Sequence, residues 1–105
     1  MLLTDPRLKT IIECRGFDNQ CDKLIEEQAE LVVAITHERK KDKDAVKWHD
    51  NFIEELGDVA ILVSQLYASL SPEDQIAFKE SVSFKINREM ERLDRDGLIA
   101  KRLPV

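Results

Sequence analysis

The chain has 105 residues, 35% of them charged and 43% hydrophobic, with a formal net charge of −5. That length suits one domain and that balance suits a packed chain, not a disordered one. The acidic excess argues against a nucleic-acid backbone or an anionic membrane as partner, and no window approaches the ~18 apolar residues of a membrane span. The N-terminus has no basic segment leading into a long apolar run, so no secretory leader is expected. Cys14 and Cys21 form no CxxC pair, and no histidine completes a zinc pattern. They read as reduced thiols in a cytoplasmic protein.

Only three glycines and three prolines interrupt the chain, which predicts long helices. Thr4-Asp5-Pro6 is a helix start, with a capping side chain ahead of a proline at the first helical position. This first helix is short, because Gly16 breaks it. Asp18 caps a second helix running to about Arg39, where the charged run HERKKDKD marks a loop. A third helix begins near Ala45 and continues through WHDNFIEELGDVAILVSQLYASL. Ser71-Pro72-Glu73-Asp74 is the clearest boundary: a cap, a proline at the first position, then acids in the first turn. The fourth helix runs to about Asp96, and Gly97 stops it. Residues 98–105 form a tail. No strand-like alternation is present, so the fold class is all-α, a single domain over 1–105.

On helical wheels, the second helix places Leu31, Leu24, Ile35, Phe17, Cys21, Val32, Ile25 and Ala29 on one apolar arc. The third does the same with Val59, Phe52, Val63, Leu56, Tyr67, Ala60 and Ile53. Each arc is wider than the ~100° needed to pack on one neighbour. A chain this short has little else to cover them. The expectation is a helical bundle whose core is completed by oligomerisation, as a homodimer or homotetramer.

Two acidic runs border these arcs. EEQAEL at 26–31 and EELGDV at 54–59 match almost position for position. Glu27 and Glu30 share the edge of one arc, and Glu55 and Asp58 hold the same places on the next helix. Antiparallel packing would bring the four carboxylates together. Two such charges 4 Å apart repel by about 4 kcal/mol at an effective dielectric of 20, so the cluster calls for a cation. An all-oxygen ligand set without histidine favours Mg²⁺ or Mn²⁺ over iron, zinc or copper. Trp48 stands seven residues before Glu55, where an indole could stack on a base or simply pack. Lys85, Arg88 and Arg92 form a stripe at i, i+3, i+7 on the last helix, suited to phosphate or to pairing with Glu89 and Glu91.

These residues resemble the signature of the MazG-like all-α nucleoside triphosphate pyrophosphohydrolases, relatives of dimeric dUTPases and phosphoribosyl-ATP pyrophosphohydrolases. The likeness rests on EExxE at 26–30, ExxD at 55–58, Gln20 seven residues before Glu27, and NREMER at 87–92. It covers about residues 16 to 93. It implies a bundle binding Mg²⁺ through Glu27, Glu30, Glu55 and Asp58, and hydrolysis of a nucleoside triphosphate to monophosphate and pyrophosphate. It makes Glu26 and Glu27 the candidate catalytic pair. Glu26 points away from the ligands, with orienting a ligand, acting as base and facing solvent all open to it. Gln20, Trp48, Lys85, Asn87 and Arg88 become candidate substrate contacts, although the family pattern wants a lysine where Glu89 stands. Two other readings remain: a non-catalytic helical oligomerisation module whose carboxylates are rim charges, and phosphoribosyl-ATP hydrolysis.

Overall fold

A computed structural model describes residues 3–40 and 44–99. It holds four helices, which we label α1 (Arg7–Arg15), α2 (Phe17–Lys40), α3 (Ala45–Ala68) and α4 (Pro72–Arg95), with no strand among the described residues. The chain divides into two compact units, one containing α1 to α3 and the other beginning at Ser71 and containing α4. The interhelical residues 41–43 and tail residues 100–105 lie outside the described residues.

The helix ends follow local chemistry. Asp5, not Thr4, serves the first helix: its Oδ1 accepts from the Arg7 backbone N–H at 3.0 Å, while Pro6 occupies the cap position. Gly16 turns the chain at φ 96° and ψ 143°, and Asn19 donates its side-chain amide to the Arg15 carbonyl at 2.8 Å. α2 therefore starts at Phe17, and Asp18 lies within its first turn instead of capping it. At the far end α2 runs to Lys40, one residue past the expected Arg39, with His37, Glu38 and Arg39 of the charged run inside the helix. Cations in a final turn suit the negative end of the helix dipole, so this charged run extends the helix. Ser71 caps α4 as expected, its Oγ accepting from the Asp74 N–H at 3.1 Å, and Gly97 follows the helix at φ 70°.

α2 and α3 form the main packed pair of the first unit. Gln20 meets Gln65 near one end and His37 meets Trp48 near the other, so the helices run antiparallel. The buried positions of α2 are Gln20, Glu27 and Ala34, with Leu24 and Leu31 half-buried between them. That 20–24–27–31–34 series is a seven-residue repeat, the geometry of two helices meshed along a narrow seam. The seam is rotated from the centre of the predicted apolar arc. Phe17, Ile25, Val32 and Ile35 stay exposed, as do Ile53 and Leu56 on α3. The wheel finds the apolar side of a helix but not which part of it meets the neighbour. Ala34 and Leu62, each seven residues after an acidic seam residue (Glu27 and Glu55), are both buried.

α1 lies against both long helices, burying Leu8 and Ile12 one turn apart. The N-terminal segment is tied to α3 by the Leu3 backbone N–H, which donates to Ser64 Oγ at 2.9 Å. In the second unit, no described residue of α4 is buried. No described helix is long and apolar enough to cross a membrane.

Candidate metal centre

The seam carries Glu27 where a core residue would normally stand. Its side chain is held between α2 and α3 with only 7% of the residue exposed. One turn of α3 supplies the half-buried Glu55 and the exposed Asp58. One oxygen from each of Glu27, Glu55 and Asp58 lies within 4.8 Å of the other two. Oxygens sharing a Mg²⁺ at about 2.1 Å sit about 3 to 4 Å apart, so small side-chain adjustments would close this triad on an ion.

The protein alone leaves this cluster incompletely satisfied. Glu27 Oε2 and Glu55 Oε2 are buried without any hydrogen-bond partner. Orphaned carboxylate oxygens are expensive in a folded interior. Lys23 answers part of the charge, its Nζ standing 3.3 Å from Glu27 Oε1 and 4.0 Å from Glu26 Oε2. Burial pushes the Glu55 carboxyl up to about 7, helped by its contact with Glu27 and by the charges of Glu30, Glu27 and Asp58. Burial acts to raise Glu27 as well, but Lys23, together with the adjoining Glu30 and Glu55, outweighs it and holds Glu27 below its ordinary value. The adjoining Glu27 raises Glu30 in turn. Without metal, the raised Glu55 carboxyl eases the crowding by holding its proton toward neutral pH. The donor set fits a hard divalent cation: oxygen-only, charged, and with two oxygens lacking any other partner.

The chain matches the MazG nucleotide pyrophosphohydrolase domain over residues 16–95. It belongs to the MazG family. No curated protein and no solved structure gives a match. The matched span opens at Gly16, the break between α1 and α2, and closes on the last residue of α4.

Within the MazG domain the predicted site residues do not all come together. Glu27, Glu55 and Asp58 converge, while Glu30 is exposed one turn along α2 and stands outside the triad. Glu26 is exposed and stands 4.0 Å from Lys23 Nζ. Gln20 is buried and shares with Glu27 and Asp58 the lining of a cavity of about 590 Å³. Trp48 stacks on His37, ring centroids 3.7 Å apart and planes 7° from parallel, two turns or about 10 Å along α3 from Glu55. Lys85, Asn87 and Arg88 are exposed on α4, in the second unit, where Arg88 lies over the Phe84 ring and Arg92 pairs with Glu89 at 3.6 Å.

The structure adds residues that the sequence reading passed over. Arg15, Lys23 and Gln65 line the same cavity. Lys23 had a signal, since it sits four residues before Glu27 on the same helix face. Gln65 had one too. It stands seven residues after Asp58, as Gln20 stands seven before Glu27, and antiparallel helices bring those two offsets together.

Proposed function

We propose that this protein is a Mg²⁺-dependent nucleoside triphosphate pyrophosphohydrolase, cleaving the anhydride between the α- and β-phosphates to leave a nucleoside monophosphate and pyrophosphate. The observation that carries the reading is the pair of orphaned buried oxygens on Glu27 and Glu55, gathered with Asp58 on facing helices of a MazG domain. Glu27, Glu55 and Asp58 would hold the cation, with Glu30 as a further ligand from the same turn of α2. A bound Mg²⁺ supplies charge neutralisation at the phosphates and a water of lowered pKa.

The remaining roles fall to the chain's own groups. Lys23 and Arg15 border the cavity beside the carboxylates and offer charged donors for phosphate oxygens. Glu26, exposed and adjacent to Glu27, is assigned the role of proton acceptor in this proposal. Gln20 is assigned to substrate contact from inside the cavity. Trp48 is a further substrate contact in this proposal. A cytoplasmic, homo-oligomeric enzyme acting on small nucleotides accords with an acidic chain and with the apolar residues that α2 and α3 leave uncovered.

The test is pyrophosphate release from a panel of ribo-, deoxyribo- and modified nucleoside triphosphates, with phosphoribosyl-ATP included, in Mg²⁺ and in EDTA. Release is expected only with the divalent ion. Glu27→Ala is expected to lower kcat/KM by more than about a hundredfold, since even groups behind a metal ligand contribute ~10- to 100-fold. Undiminished turnover in that variant would remove the assigned centre.

A further inference from the structure

Two neutral amides are buried beside the acidic cluster. Gln65 is 2% exposed and Gln20 8% exposed, and Gln20 Nε2 donates to Gln65 Oε1 at 2.8 Å. That bond uses one N–H and one acceptor site of a pair that owns four N–H groups and two carbonyl oxygens. Whichever amide is the donor, one carbonyl and one NH₂ group are left over. Among the described residues, the only enclosed side-chain polar atoms without a partner are the two carboxylate oxygens of Glu27 and Glu55. Both glutamines line the 590 Å³ cavity that Glu27 and Asp58 also border.

Stability does not account for this arrangement. Elsewhere the same seam is closed by Ala34 and Leu62, and replacing a buried hydrogen-bonded pair with apolar groups of similar shape is often close to neutral. Phosphate does not account for it either, because uncharged amides are weaker phosphate partners than Lys23 and Arg15 on the same cavity wall. What a carbonyl and an NH₂ from one hydrogen-bonded pair on the cavity wall do match is an uncharged ring edge with a donor next to an acceptor, the pattern that nucleobases present. The cavity volume falls in the range typical of small-molecule sites.

We propose that Gln20 and Gln65 act as one unit that reads the base edge of the substrate, with Gln65 a specificity-determining residue alongside Gln20. This rests on the cavity being the nucleotide site, and it goes beyond that reading by assigning base selection to a pair of facing helices.

The test measures binding, so that it stands apart from turnover. Deoxynucleoside monophosphates carrying each of the four bases are titrated into the full chain in Mg²⁺, with inorganic pyrophosphate as the base-free control. Wild type is expected to prefer one base by about tenfold to a hundredfold. The double substitution Gln20→Leu with Gln65→Leu is expected to remove that preference while leaving pyrophosphate affinity within about threefold of wild type, the context-dependent spread of such contacts. In ¹⁵N–¹H spectra of wild type, the side-chain NH₂ resonances of both glutamines should move with the preferred monophosphate and not with pyrophosphate. A purely structural role would not move them selectively. Equal binding of all four bases, a preference that survives in the double variant, or unmoved amide resonances would overturn the proposal. A chain that hydrolyses triphosphates yet gives those results keeps the enzyme reading and loses this one. Base preference in a chain that releases no pyrophosphate has the reverse consequence.

Discussion

Between pH 5 and pH 8 the Glu55 carboxyl titrates in the folded chain, at about 7 against an ordinary 4.5, after the unfolded chain has already lost that proton. A raised carboxyl pKa means the folded state holds a proton that the unfolded state releases. The associated stabilisation is complete below the unfolded value and is lost as pH rises through the folded one. The metal-free protein should therefore melt at progressively lower temperature from pH 5 to pH 8. Glu55→Gln should flatten that dependence and melt above wild type at pH 8. Thermal melts in EDTA across the window check this, and parallel curves for the two proteins would show that Glu55 is not the group responsible. A divalent ion held by this cluster would compete with the same proton, so the affinity for Mg²⁺ should rise with pH through about 7. At this scale the acidic centre was legible in the sequence, because the repeated spacing of Glu27 and Glu55 survives any rotation of the helices. The depth of Glu27 was not, since a wheel centred on aliphatic residues treats a carboxylate as a margin. Gln65 was missed for the same reason.

Two glycines show how an element's conformation, more than its neighbours, decides the effect of a substitution. Gly16 adopts φ 96° and ψ 143° between α1 and α2, and a Cβ built there meets nothing closer than Asn19 Nδ2 at 3.7 Å. Space is available, so Gly16→Ala should lose about 1–3 kcal/mol from backbone strain alone. Asparagine should not rescue it, because its tolerance is for the left-handed helical region and not for this extended ψ. Gly57 lies inside α3 with nothing within 4 Å of an added Cβ, and Gly57→Ala should gain about 0.5–1 kcal/mol. Urea unfolding measures both as opposite shifts of the midpoint at unchanged slope. A stabilising Gly16→Ala would mean that α1 joins α2 by another route. The breaks at Gly16 and Ser71-Pro72 were readable because they rest on local backbone chemistry. The end of α2 was readable to within a residue, about Arg39 against Lys40, because the charged run marks where the apolar pattern stops.

For the whole molecule, the consequential surface is the row that α2 leaves bare. Ile25 is 66% and Val32 63% exposed, and with Ala29 between them they stand at i, i+4 and i+7 on one side of the helix. Ile53 and Leu56 on α3 are exposed in the same unit. Single exposed aliphatics need no explanation, whereas a contiguous row of them does. A second copy of the chain would cover such a row with matching apolar surface, and small chains commonly complete their burial by this means. The protein is therefore expected to sediment as a dimer or tetramer, with a Tm that rises with protein concentration, since association stabilises the folded state by mass action. Introducing Ile25→Asp together with Val32→Asp puts two charges in that interface. It should yield monomers whose Tm no longer depends on concentration, because truncating the apolar contact leaves the partner's surface without a cover and the new carboxylates without a counter-ion. A wild-type monomer across a wide dilution series, with a melting point unchanged by the two aspartates, would show that α2 keeps this row for some other purpose. The seam between α2 and α3 would then have to supply the unit's stability unaided.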